Sequence, residues 1–409
     1  MTNHDSPPIT QASQHWRSLW SLDPTVTFLN HGSFGACPIA ILEKQQVLRS
    51  KLEAEPLQFF GVELEDLLDT ARQALANFVG AEVASLAFVP NATTGVNTVL
   101  RSLCLPISGF TPLQAGDELL TTNHEYNASR NALNFVAQCV GATVVVAEVP
   151  FPIDSSEQAI SAILDKVSAK TRLVLLDHIT SQTSLVFPLK PLINELNQRN
   201  IDVLVDGAHA PGMIPLNLAE LGVAYYTGNC HKWLCSPKGA AFLYVREDKQ
   251  FMIRPLVISH GANSPRPDRS RFHLEFDWTG TTDPTPFLCI PEAIQFMGTL
   301  LPGGWTALMK HNQDMALAAR QRLCQTLRVQ LPCPDTMIGS MATIPLLNGS
   351  AKSLQTQLFQ QFRIEVPIIP WSTPNRLIRL SAQLYNTMAD YDGLAKSLVE
   401  LLATELKEA

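Results

Sequence analysis

The sequence predicts an α/β protein: a large domain with a mainly parallel mixed sheet flanked by helices, plus a smaller C-terminal α/β domain. Three observations carry this. Between residues 80 and 245, short apolar runs alternate with amphipathic helical patterns, as in parallel strands joined by crossover helices. From Arg254 to Asp283 the chain is rich in Pro, Arg, Gly and Thr and loses periodicity. After Pro284 a second, shorter pattern of helices and strands begins. The expected division is an N-terminal arm over 1–20, a large domain over 21–282 and a small domain over 283–409.

Length and composition agree with that division. A chain of 409 residues with 46% apolar content can bury more than one core. A formal charge of −7 without a long basic run argues against nucleic acid as a partner. No run of about 18 apolar residues occurs, so no transmembrane helix is expected. The start, MTNHDSPPITQASQHW, lacks the apolar core of a secretory signal. The eight cysteines are dispersed without a CxxC pair, so they read as free, mostly buried thiols of a reducing compartment. No His or Cys pair has zinc spacing. The expectation is a cytoplasmic enzyme without a metal.

The elements follow in order. Around NHGSFG, residues 30–35, two glycines and small polar residues make a tight loop, with Pro38 opening a helix. That loop either leads into the helix or faces a substrate. Residues 39–79 read as helical with a break near Pro56, closed by Gly80. A short strand over 85–89 then runs into Pro90 and Asn91, and Ala92, Thr93, Thr94 and Gly95 open a helix. Free NH groups at that terminus, with two threonine hydroxyls, could cup a phosphate or simply cap the helix. A strand over 117–122 leads to Asn123, His124, Glu125, Tyr126 and Asn127, and a helix runs on to Cys139. A strand-end His or Tyr can lie over a flat ring or merely cap the core.

Further on, a valine-rich strand covers 141–149, a helix 155–168, the clear strand TRLVLLD 171–177, and a helix 188–200. His178, Thr180, Ser181 and Gln182 follow the strand and can serve a ligand or their own loop. Apolar runs at 201–205 and 223–227 deliver Asp206 to one loop and Asn229, His231 and Lys232 to the next. Open α/β sheets bind ligands at such strand ends. A buried carboxylate beside a buried lysine suits pyridoxal phosphate: the lysine forms the Schiff base and the carboxylate keeps the pyridine nitrogen protonated. A turn aspartate and a surface lysine would look the same over so short a stretch. Beyond residue 284, a long helix to about 301 and helices through 330 are expected. A strand, a helix over 353–361 and a strand follow, then the alternating strand 376–381 and a closing helix.

Taken together, NATTG at 91–95, DGAH at 206–209, HKW and PKG at 231–239, and RLSAQLYNT at 379–387 resemble the class V aminotransferase group of fold-type I pyridoxal-phosphate enzymes. The likeness covers nearly the whole chain. NHGSFG, HEYNA at 124–128, ISHGA at 258–262 and FDWTGTTD at 276–283 resemble the isopenicillin N epimerase-like branch. The resemblance implies a homodimer acting on a small amino-acid-like substrate. Lys232 would hold the cofactor and move the α-proton, and Asp206 would pair with the ring nitrogen. His209 and Ser181 would lie near its phenolic oxygen. The backbone of Ala92, with Thr93 and Thr94, would cradle the phosphate, aided by Asn229 and His231. Tyr126 aligns best with the ring-stacking residue, with His124 as runner-up. Thr281 would reach a partner's phosphate. Arg379 would bind the substrate carboxylate, with Asn30 and His31 also facing the substrate.

The sequence departs from the cysteine desulfurases of this group: IEVPIIPWSTPNR, ahead of Arg379, holds no cysteine, so a thiol nucleophile is not expected. Epimerisation ranks first, with Lys232 and Tyr126 as two bases. A carbon–sulfur lyase or an aminotransferase follows, and a non-catalytic binder comes last.

Overall fold

A computed structural model describes residues 15–371 and 375–408. The first fourteen residues of the expected arm lie outside that range.

The apolar runs of the first half become one sheet. Its strands are β1 (Leu86–Val89), β2 (Glu118–Thr122), β3 (Thr143–Ala147), β4 (Thr171–Asp177), β5 (Asp202–Asp206), β6 (Tyr225–Asn229) and β7 (Ala241–Val245). They lie in the order β1-β7-β6-β5-β4-β2-β3. β7 runs antiparallel to both neighbours, and the remaining pairs are parallel. Alternation of side chains divides each strand between two apolar layers. In β4, Val174 and Leu176 join one buried cluster while Leu173 and Leu175 join the other. Each such side chain contributes about 1.5–3 kcal/mol by burial, which is why these strands are apolar on both faces.

Helices cover both layers: α1 (Ile39–Ala54), α2 (Leu64–Val79), α3 (Ala92–Ser102), α4 (Asn127–Val140), α5 (Ser156–Leu164) and α6 (Leu189–Gln198). The break expected at Pro56 is present, followed by a π-turn over Phe59–Glu63. Gly80 closes α2 at φ 63°. The cap of α3 is Asn91, whose side chain accepts the Thr94 NH; no threonine caps it.

Several boundaries shift by a few residues, such as the helix expected over 155–168, which ends at Leu164, and two of the shifts have a clear cause. The strand read over 223–227 lies at Tyr225–Asn229, because pairing with β7 extends to Asn229 opposite Ala241. The helix expected over 284–301 is split into Thr285–Leu288 and α7 (Ile290–Thr299). Pro291 at the start of α7 offers no NH to continue the first piece.

The chain continues through α8 (Gly304–Leu327), β8 (Met341–Leu346), α9 (Ala351–Phe362), β9 (Ile368–Pro370), β10 (Arg376–Ser381) and α10 (Met388–Glu408). β9, β10 and β8 form an antiparallel sheet with β10 central. Thr27–Phe28 pairs with Ile364–Glu365, and Ser381 NH donates to the Leu29 carbonyl at 3.0 Å. These contacts lay residues 30–35 beside β10. No helix among the described residues is long and apolar enough to cross a membrane.

Candidate active site

Parallel pairing sets Asp177, Asp206 and Asn229 at the same edge of the sheet, with Asp177 in register beside Asp206. Around this edge a cleft is lined by Ser33, Phe34, Asn91, Ala92, Thr93, Tyr126, Asp177, Ser181, Asp206, His209, Asn229, His231 and Lys232.

Lys232 is half-buried, with Nζ 3.2 Å from His209 Nε2. Burial, then the Arg379 guanidinium, lowers its ammonium to about 8, against the pull of Asp206 and Asp177. The NHGSFG loop packs against its backbone and fits only with glycine at 35. A Cβ there would lie 2.2 Å from the His231 carbonyl, and its φ is +71°. Asp206 is 3% exposed. Its Oδ2 accepts from Ser129 Oγ at 2.8 Å and its Oδ1 from the Ala208 NH at 3.0 Å. His209 is held neutral by burial and then by Lys232, and its Nδ1 is buried without a partner among the described residues.

The phosphate cup is narrower than expected. The Ala92 NH is taken by Asn229 Oδ1 at 2.8 Å, and both the NH and hydroxyl of Thr94 go to Asn91 Oδ1. Thr94 faces a neighbouring cavity instead, shared with Thr281. Thr93 keeps its NH and hydroxyl unbonded among the described residues, at the positive end of α3. His231 bonds the Ala240 carbonyl through Nδ1 at 3.0 Å and leaves Nε2 to the cleft.

Arg379 is 4% exposed and has no acidic partner among the described residues. Nη1 donates to the carbonyl and hydroxyl of Ser181, at 2.6 and 3.2 Å. Nη2 donates to Ser33 Oγ at 2.7 Å and lies 3.5 Å from Asn30 Oδ1. Its Nε is buried and unbonded. Burial lowers the guanidinium to about 10. A buried cation held only by neutral acceptors is an incomplete pair, and a carboxylate completes it.

Two residues picked from sequence, His31 and His124, lie elsewhere, and Thr281 is expected at a partner rather than at its own chain's cleft. His31 turns away from the cleft: Nδ1 bonds Tyr385 at 2.7 Å and Nε2 the Lys232 carbonyl at 3.1 Å. The short helix His31–Phe34 directs its ring inward. His124 is buried between Thr183 and the Val149 carbonyl, at 2.6 and 3.0 Å, and lies outside the cleft lining. Thr281 is exposed on the long loop, away from its own chain's cleft. Tyr126, at the start of α4, is 43% exposed in the cleft, and its hydroxyl has no hydrogen bond among the described residues.

Ser33, Phe34, Glu125 and Asp177 were not singled out from the sequence. The one acid in the polar run NHEYN that joins β2 to α4 was the available signal for Glu125. Cys230 and Cys235 are fully buried, and burial raises both thiols. Burial pushes Cys333 up to about 11. None is a ready thiolate.

The family model for aminotransferase class-V matches residues 39–394. The chain belongs to that family. Among curated relatives of this class V protein is the isopenicillin N epimerase of Amycolatopsis lactamdurans. It is 35% identical, over 93% of this chain and 96% of that one. The putative L-cysteine desulfhydrase 1 of Oryza sativa subsp. japonica is 30% identical, over 92% and 83%. Among solved structures, the cysteine desulfurase CsdA of Escherichia coli superposes with TM-score 0.76 at 18% identity, covering 96% and 98%. The cystine C–S lyase C-DES gives 0.73 at 23%, covering 92% and 97%. These likenesses establish the fold-type I architecture and, with the family, pyridoxal phosphate as cofactor. The residues present fit that group: an amine of lowered pKa, a buried carboxylate, an unpartnered His209 Nδ1 and a free helix-terminal NH at Thr93.

Proposed function

We propose that this class V enzyme acts at the α-carbon of a free amino acid or a derivative that keeps its α-carboxylate, and that its reaction is epimerisation. The observation that carries the substrate class is Arg379: buried, cationic and without an acidic partner among the described residues, in the same electrostatic neighbourhood as Lys232. Its two Nη atoms form a fork for one carboxylate, displacing Ser33 and the Ser181 hydroxyl.

Lys232, Asp206, His209, Ser181, Thr93, Asn229 and His231 would hold pyridoxal phosphate. When bound, the cofactor supplies an electron-withdrawing ring that acidifies the α-C–H of an attached amino acid. Lys232 Nζ, with its depressed pKa, takes and returns that proton near neutral pH. Tyr126 offers the second proton-handling group. Its unbonded hydroxyl lines the same cleft, and its charge would be felt by Arg379. Phe34, 72% exposed at the rim, would exclude water once a substrate is seated. The A. lactamdurans and Streptomyces clavuligerus epimerases, at 35% and 33% identity, support this outcome.

A second reading, β-elimination from a cysteine derivative, draws on the desulfhydrase relatives. It needs the same Lys232 proton transfer. The test is incubation with a panel of L- and D-amino acids and cysteine derivatives in deuterated water. Epimerisation predicts α-deuterium in both enantiomers without pyruvate. Pyruvate with a thiol product would overturn it in favour of the lyase.

We also infer a homodimer of this chain. Thr281 is exposed on a loop that lines a cavity with Pro90 and Thr94, on the outer side of the α3 terminus. A second copy seated there would receive it. A monomer by light scattering at working concentration would remove this part.

A further inference from the structure

Asp206 is one of three acids at the sheet edge. Glu125, from the loop after β2, and Asp177, from the end of β4, bring carboxylate oxygens within 4.8 Å of one another and of Asp206, all three buried. The donors are shared unequally. Asp206 receives the Ser129 hydroxyl and the Ala208 NH. Glu125 receives only Thr121 Oγ1 at 3.0 Å among side-chain donors, and its Oε1 is unpartnered. Asp177 Oδ2 is also buried and unpartnered. An ionised carboxylate only accepts, so three charges here would leave two buried oxygens unsatisfied and facing like charge. A proton on each of these two acids turns it into a donor toward a neighbour's oxygen.

We propose that Glu125 and Asp177 are neutral, protonated positioning residues that donate within this cluster, leaving Asp206 as its single ionised member. The surroundings agree. The cations facing the cluster are Lys232 from the loop after β6, which acts on Asp206 and Asp177, and Arg130 from α4, which acts on Glu125. The Tyr126 backbone NH works against the rise of both Glu125 and Asp177, and the neutral Tyr226 phenol of β6 faces Asp206. Two cations do not neutralise three carboxylates while Lys232 is also used for chemistry. Burial and then Asp206 raise Glu125 to about 8, and burial and then Glu125 raise Asp177 well above its ordinary value. The pair would keep a negative charge localised on Asp206. The proposal rests on Asp206 as the partner of the ring nitrogen only for its consequence; the protons are there whether or not cofactor is bound.

The test is infrared spectroscopy of the full-length chain, cofactor-stripped and cofactor-loaded, at pH 6 to 9. The wild type should show a buried carboxylic-acid carbonyl band at pH 7. Glu125→Gln and Asp177→Asn should each remove part of it, and the Glu125 share should fade as pH passes about 8. A wild-type spectrum with no protonated carboxyl at pH 7 overturns the proposal, as would a cation holding all three acids ionised. This readout stands even where a variant fails to fold. As a second arm, Glu125→Gln should retain bound cofactor by its visible absorbance, because the amide mimics the neutral acid, whereas Glu125→Ala should lose at least tenfold in cofactor affinity. Equal behaviour of the two variants would overturn the positioning role. If the infrared band is present but Asp206→Asn leaves the cofactor spectrum unchanged, the protonation holds and the ring-nitrogen assignment falls.

Discussion

Nε2 of His31 lies 3.1 Å from the carbonyl oxygen of Lys232, and Nδ1 lies 2.7 Å from the Tyr385 hydroxyl. Burial holds His31 neutral, down to about 3. The network then assigns Nε2–H as donor to Lys232 and Nδ1 as acceptor from Tyr385. The reactive lysine is therefore pinned from behind, through its backbone. His31→Ala should cost about 3 kcal/mol of stability, from three lost hydrogen bonds, the third from the Ala36 NH to Nδ1 at 3.3 Å, and a cavity. A urea titration checks this. A pure substrate ligand would instead raise KM and leave the midpoint in place.

The same burial predicts sensitivity to acid. His31, His124, His178 and His231 fall to about 3, 4, 4 and 4, and His209 well below its ordinary value, desolvation leading in each. These imidazoles are neutral when folded and take up protons on unfolding once the pH falls below about 6.5. Glu125 and Asp177 have raised values and act oppositely: their contribution is lost as pH rises above the unfolded carboxylate range. Burial lowers His273 and His311 as well, so seven imidazoles outnumber the two carboxyls, Glu125 and Asp177, that release protons, and unfolding takes protons up. Stability of the cofactor-free chain should then fall as the pH drops from 6.5 to 4.5, by about 1.4 kcal/mol per pH unit for each net proton taken up. Urea midpoints at pH 7 and pH 5 measure it; equal midpoints would contradict the sign.

Lys232 has its ammonium lowered to about 8 by burial and Arg379. Its neutral fraction should rise about tenfold from pH 7 to pH 9. The initial rate at which pyridoxal phosphate becomes covalently attached should rise in the same proportion, followed by visible absorbance. Lys232→Ala should abolish the attachment. A rate still climbing steeply above pH 9 would show an ordinary surface lysine.

How far these residues were legible depends on the range of the interaction that places them. Asp206 and Arg379 lie on strands, and Lys232 follows one, whose apolar runs are local signals, and the sequence carries them directly. The neighbourhood of Asp177 and Asp206 depends on a strand register between segments 29 residues apart, which no local pattern encodes. His31 was misplaced because a single turn of helix rotates it inward while Asn30 and Ser33 face Arg379. His124 was kept from the cleft by its bonds to Thr183 and Val149, far along the chain. The Asn91 cap is local, but the two threonines after it look equally suited from composition alone.

Arg379 sets a prediction on substrate binding. Arg379→Ala should raise KM for amino-acid substrates by about 30- to 1,000-fold, as about 2–4 kcal/mol of charge-assisted hydrogen bonding is lost. Arg379→Lys should recover little of this, since an ammonium cannot form the fork. Cofactor absorbance should persist in both. Steady-state kinetics beside the visible spectrum separate the two effects, and unchanged KM would remove the carboxylate role.

Tyr126 decides between one base and two. Its hydroxyl is free of hydrogen bonds among the described residues, lines the cleft and influences Arg379. If it serves one face of the α-carbon and Lys232 the other, Tyr126→Phe removes one proton path and leaves the other. The variant should still exchange the α-proton of one enantiomer with deuterated solvent at close to the wild-type rate. Its inversion rate should fall about 100-fold or more, within the range for loss of a general acid or base. The phenyl ring keeps any stacking contribution, so cofactor absorbance should be retained. Nuclear magnetic resonance follows exchange, and chiral chromatography follows inversion. Equal losses in both would mean that Tyr126 acts only in placing the substrate or the ring. Full inversion in the variant would mean that Lys232 alone, or another group, serves both faces.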